Sequence, residues 1–72
     1  MFELRGTMVT ISIYPGPQQF PATVSFVANH VESGDTLDVH MNEVSPWLWV
    51  ETANSDAIIA ELKRTGVRYS VG

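Results

Sequence analysis

The chain has 72 residues, eight acidic against four basic side chains, a formal net charge of −4 and no cysteine. That length bounds it to one small domain spanning 1–72. The missing thiols exclude disulfides and thiolate zinc sites, and the scattered acidic excess argues against nucleic acid as the main partner. A hydrophobic fraction of 44% belongs to a folded domain rather than a disordered one. No apolar run approaches the roughly 18 residues of a membrane span. Met1–Gly6 lacks the basic stretch and apolar core of a secretory signal. The expected setting is therefore the cytoplasm, with no membrane contact. A domain this small buries only about 60% of the surface its unfolded chain exposes, so a partner subunit, most simply in a homodimer, is the expected extra stabiliser.

In chain order, Met8–Tyr14 alternates. Val9, Ile11 and Ile13 mark a buried face and Thr10, Ser12 and Tyr14 an outer one, which predicts a strand. Phe2 and Leu4 extend that pattern backward, with Gly6 as a bulge. Pro15–Pro21 reads as a loop, because its prolines cannot donate to a ladder. Phe20 within it is placed to fold back as a lid. Ala22–His30 also alternates, with Val24, Phe26 and Ala28 on one face, and predicts a second strand. Glu32–Asp35 is a turn, and Thr36–Met41 a third strand burying Leu37, Val39 and Met41. A hairpin about Ser33-Gly34 then pairs Phe26 with Met41 and Ala28 with Val39.

Ser45-Pro46 precedes a fourth strand, Trp47 to about Glu51. Asn54 or Ser55 caps a helix over Ala57–Arg64, with Asp56 in its first turn, Ile58, Ile59 and Leu62 on one stripe, and Gly66 at its C-terminal cap. Val67–Val71 is the last strand. The expected fold is α+β in the order β-β-β-β-α-β: a two-layer, mostly antiparallel sheet of four or five strands under one helix. The alternative is a small curled β-barrel plus helix.

The candidate functional residues lie in Trp47-Leu48-Trp49-Val50. With Leu48 and Val50 inward, Trp47 and Trp49 point outward, and exposed aromatic patches mark contact sites. Tyr14, His40 and Asp38 share that outer face, as do Thr23, Ser25, Val27, Asn29 and Asn42. The Asp38-x-His40 pair lacks a third ligand for a metal. No Gly-x-Ser-x-Gly elbow or Ser–His–acid set is present, and a Ser12–His40 dyad has no support. Gly16 between prolines cannot build a phosphate nest. Lys63, Arg64, Arg68 and Tyr69 form a small basic corner, the one feature that fits nucleic acid. The expectation is a non-enzymatic binding protein without cofactor or metal. It docks Trp47 and Trp49, with Tyr14, His40 and Asp38 around them, on a larger protein as a regulator or inhibitor, in the manner of small phage or mobile-element proteins. The alternatives are a homo-oligomer using the Trp face for self-contact, and a nucleic-acid-binding protein.

Overall fold

The structure, a computed structural model, describes residues 7–72, so the expected strand extension through Phe2 and Leu4 lies outside the described residues. Its elements are β1 (Val9–Tyr14), α1 (Phe20–His30), β2 (Thr36–His40), β3 (Trp47–Thr52), α2 (Ser55–Thr65) and β4 (Arg68–Val71). The four strands form one antiparallel sheet in the order β2-β3-β1-β4. The sheet is open, with β2 and β4 at its edges, and does not close into the barrel held as an alternative. Since β1 runs opposite to both β3 and β4, the β3-α2-β4 unit joins two parallel strands across β1. The β1-α1-β2 unit likewise spans β3. Two interleaved split β-α-β units are the plan of ferredoxin-like folds, which hosts many unrelated functions and specifies none.

The main correction concerns Ala22–His30, expected as a strand and found within α1. Its β-branched residues imitate a period of two. The burial, however, follows helical spacing: Phe20, Thr23 and Val27 are buried, with Val24, Phe26 and Val31 packed partly against the core. Pro21 sits in the first turn, where its missing N–H costs nothing. A turn closed by Gln19 N–H donating to Gly16 O (2.9 Å) leads into the helix. At the other end His30 Nδ1 lies 3.0 Å from Phe26 O. The expected hairpin of this segment with Thr36–Met41 therefore does not exist; β2 pairs instead with β3, Leu37 facing Val50 and Val39 facing Leu48.

The second helix follows its signals more closely. Asp56 occupies the first turn, Lys63 and Arg64 the last, and Gly66 the left-handed cap at φ 76°. Val67 N–H closes the cap on Leu62 O at 3.0 Å. Asn54 is the N-cap residue, but its side chain makes no capping bond; its N–H donates to Thr52 Oγ1 at 2.9 Å.

Both helices lie against one face of the sheet. The core holds Ile11, Ile13, Leu48 and Val50 from the strands, Phe20 and Val27 from α1, Ile58 and Leu62 from α2, and Val67 before β4. Val9, Leu37, Val39 and Ile59 flank it, as expected for the inward phase. Ala28 and Met41, expected inside, are exposed, and Phe20 is a core residue rather than a lid over the tryptophans. One polar joint is buried with this core. Thr52 Oγ1 donates to Asp35 Oδ2 (2.8 Å), which also accepts from Glu32 N–H (2.9 Å). This ties the turn before β2 to the end of β3.

Candidate functional site: the open face of the sheet

Because side chains alternate along each strand, the register assigns every residue of the face that carries no helix. One row across the sheet is Arg68, Tyr14, Trp47 and His40, from β4, β1, β3 and β2. The next is Ser70, Ser12, Trp49 and Asp38, and the third brings Thr10, Glu51 and Thr36 together. Trp47, Trp49, Tyr14, His40 and Asp38 thus lie on one face, over three adjacent strands. Thr23, Ser25, Val27 and Asn29 do not, since they belong to α1. Asn42 lies in the following loop, where its Oδ1 accepts from Val44 N–H (2.8 Å) and Ser45 N–H (3.3 Å).

The first row is a stack of rings. His40 and Trp47 have centroids 4.4 Å apart with planes 5° from parallel, and Tyr14 and Trp47 are 5.9 Å apart at 19°. Rings side by side in one plane cannot bring their centroids within 4.4 Å without interpenetrating, so His40 and Trp47 stand upright, face against face. Strands about 4.8 Å apart impose a matching spacing on side chains in one row. Trp47 is consequently half-buried by its neighbours, whereas Tyr14, at the flank of the stack, is 45% exposed; Trp49, in the next row, is half-buried too. The row presents ring edges and polar atoms outward. Each such cross-strand pair stabilises the sheet by roughly 0.2–1 kcal/mol, so the patch is also part of what holds β1, β2 and β3 together.

Charge on this face is mixed, with Asp38 and Glu51 against Arg68. Asp38 and His40, neighbours along β2, approach to 3.1 Å between Oδ2 and Nε2. No cluster of three or more potential metal ligands occurs among the described residues. Ser12 is separated from His40 by β3, which disposes of that dyad. His30 sits at the end of α1, off this face.

The basic corner comes apart in the fold. Arg64 is bound to Glu61, with Nε 2.9 Å from Oε1, and this pairing holds the Glu61 carboxyl below its ordinary range. Tyr69 points to the core side, opposite Ile13. Only Arg68 reaches the open face, beside Tyr14. The alternation of Val67–Val71 carries that information, since Arg68 and Ser70 share the phase opposite Tyr69. Two shallow depressions, of about 240 Å³ between α1 and α2 and about 370 Å³ beside the Met41–Pro46 loop, lie away from the ring stack and are lined mostly by apolar atoms.

No family model, no curated protein and no solved structure matches this chain.

Proposed function

We propose that this protein is a non-enzymatic binding module that docks the open face of its sheet on a larger protein and regulates or inhibits it by occlusion. One observation carries the reading: the face without helices bears two tryptophans, a tyrosine and a histidine over three adjacent strands, with Tyr14, Trp47 and His40 stacked on one another and Trp49 in the next row. Pre-stacked rings lose little entropy on binding and exclude water, the properties of interface anchors. Asp38, Glu51 and Arg68 supply the polar rim that fixes orientation.

At Trp47 the stack disfavours the nucleic-acid alternative. Bases bind proteins by lying on exposed ring faces. Here His40 covers one face of Trp47, and the 5.9 Å spacing to Tyr14 leaves no slot for an inserted base.

The test starts with capture of partners from extract of the native source by wild type, Trp49→Ala and Tyr14→Ala, all shown to be folded. The partner is then purified and its footprint on this chain mapped by amide hydrogen exchange or NMR shifts. The expected footprint covers β1, β3 and β2 on the open face, with binding lost in the variants. A footprint on α1 and α2, or binding unchanged by both substitutions, overturns the proposal.

A further inference from the structure

The edge strand β2 pairs with β3 on one side only, among the described residues. An uncovered edge is a template for another strand, and natural edges are commonly blunted by proline, lysine or a bulge. Thr36-Leu37-Asp38-Val39-His40 has no proline or lysine and pairs in unbroken register with β3, and its one acidic residue is Asp38. We infer that β2 is the dimer contact of this protein, pairing antiparallel with β2 of a second copy to build one continuous eight-stranded sheet. This contact runs along the edge of the ring-bearing face, shares Asp38 and His40 with it, and does not rest on the function proposed above.

Symmetry and charge select the register. Opposed residues in an antiparallel pair lie on the same face. A two-fold axis normal to the sheet therefore passes between one residue and its own copy. Centring on Asp38 sets two carboxylates against each other. Centring on Leu37 places Val39 against Asp35 of the second copy, and centring on His40 sets imidazole against imidazole and Asp38 against Asn42. Centring on Val39 puts Asp38 opposite the second copy's His40 and His40 opposite its Asp38. The 3.1 Å Asp38–His40 contact within each copy then grows into a four-membered alternating cluster.

On the core side the same register sets Val39 against Val39 and Leu37 against Met41. It gives an apolar contact to Met41, which is 81% exposed in the single chain. The other edge offers no comparable choice: in β4 the sole charged residue is Arg68, with no acidic residue to oppose it.

The chain's lack of cysteine makes the register directly testable. Residues facing each other across an antiparallel pair have Cα atoms about 4.5–5.5 Å apart, within disulfide reach. Val39→Cys should therefore cross-link with itself under mild oxidation. Leu37→Cys and Met41→Cys should cross-link poorly alone and well when mixed. In sedimentation equilibrium, Asp38→His alone or His40→Asp alone should weaken dimerisation by about 2- to 30-fold, from two cross-strand pairs lost per dimer. The exchanged double variant Asp38→His/His40→Asp should restore it. A wild-type chain that stays monomeric at every attainable concentration overturns the inference. So does a dimer in which Val39→Cys cross-links no better than Leu37→Cys. A dimer lost in Trp49→Ala but indifferent to the β2 variants places self-contact on the ring face and refutes the β2 contact alone.

Discussion

Thr52→Val removes one hydroxyl from a fully buried position and changes little else in volume. That hydroxyl donates to Asp35 Oδ2 at 2.8 Å and accepts from Asn54 N–H at 2.9 Å. The first bond reaches a carboxylate, a class worth about 1.5–3 kcal/mol. Asn54 is half-buried, so its N–H regains only part of its loss from water, adding about 0.5–1 kcal/mol. The expected destabilisation is therefore about 2–4 kcal/mol. Against a total of roughly 4–11 kcal/mol for a chain of 72 residues, this is a large share. In thermal unfolding followed by circular dichroism, Tm should fall by about 13–26 °C. Urea melts should show a lower midpoint at unchanged slope. Hydrogen exchange should accelerate first in the Glu32–Asp35 turn and β2, because the joint fixes where β2 begins. A loss under about 0.5 kcal/mol would show that Asp35 and Asn54 are satisfied equally well without Thr52, and that the buried joint is not what positions the β2 edge.

Three further outcomes follow from individual contacts. Gly66→Ala should cost about 1–2 kcal/mol in urea melts, all of it torsional: φ is 76° and an added Cβ meets no atom within 4 Å. A double-mutant cycle of Trp47→Leu and His40→Ala should return a coupling of about 0.5–1.5 kcal/mol for the 4.4 Å stack, while the same cycle between Trp47 and Ser70 should return none. Arg64→Gln should return the Glu61 carboxyl, followed by NMR titration, to the ordinary glutamate range. Its folded-state value is lowered, mainly by the hydrogen bond from Arg64. The pair's contribution is thus present above the unfolded-state value and lost as pH falls through the folded one. At a solvent-exposed pair this should barely move Tm.

Where the sequence was legible, one period governed a whole element. Val9, Ile11 and Ile13 alternate with polar residues and lie inward in β1, and Leu48 and Val50 do the same in β3, which turns Trp47 and Trp49 to the open face. The second helix carried its own punctuation in Asp56, Lys63, Arg64 and Gly66. Phe20–His30 was ambiguous because two periods coexist in it. Thr23, Val24, Val27 and Phe26 are strand-forming residues whose alternation suits a sheet, yet Phe20, Thr23 and Val27 sit at helical intervals. Pro21 suits a loop and the first turn of a helix equally, so the local sequence does not mark the helix start. Burial under the sheet then outweighed the local β preference. The helix takes Thr23, Ser25, Val27 and Asn29 off the open sheet face and removes the expected hairpin. The ring stack itself depends on β1 and β2 both pairing with β3, a non-local fact that no window of sequence contains.

The two proposals meet along β2. In the register centred on Val39, His40 of one copy faces Asp38 of the other, so the first row of one sheet runs into the second row of its mate. Trp47, His40, the second copy's Asp38 and the second copy's Trp49 then lie in one line, with the symmetric line beside it. Trp47 and the second copy's Trp49 are separated by three strand spacings, about 14–15 Å. Pairing the edges therefore leaves the rings uncovered and joins two separate patches into one two-fold surface. Its centre is polar, at the Asp38–His40 cluster, and its flanks are aromatic. A surface of that form fits a partner that presents two apolar pockets astride a polar ridge. It also gives the small chain a way to stabilise itself without consuming the face proposed for binding.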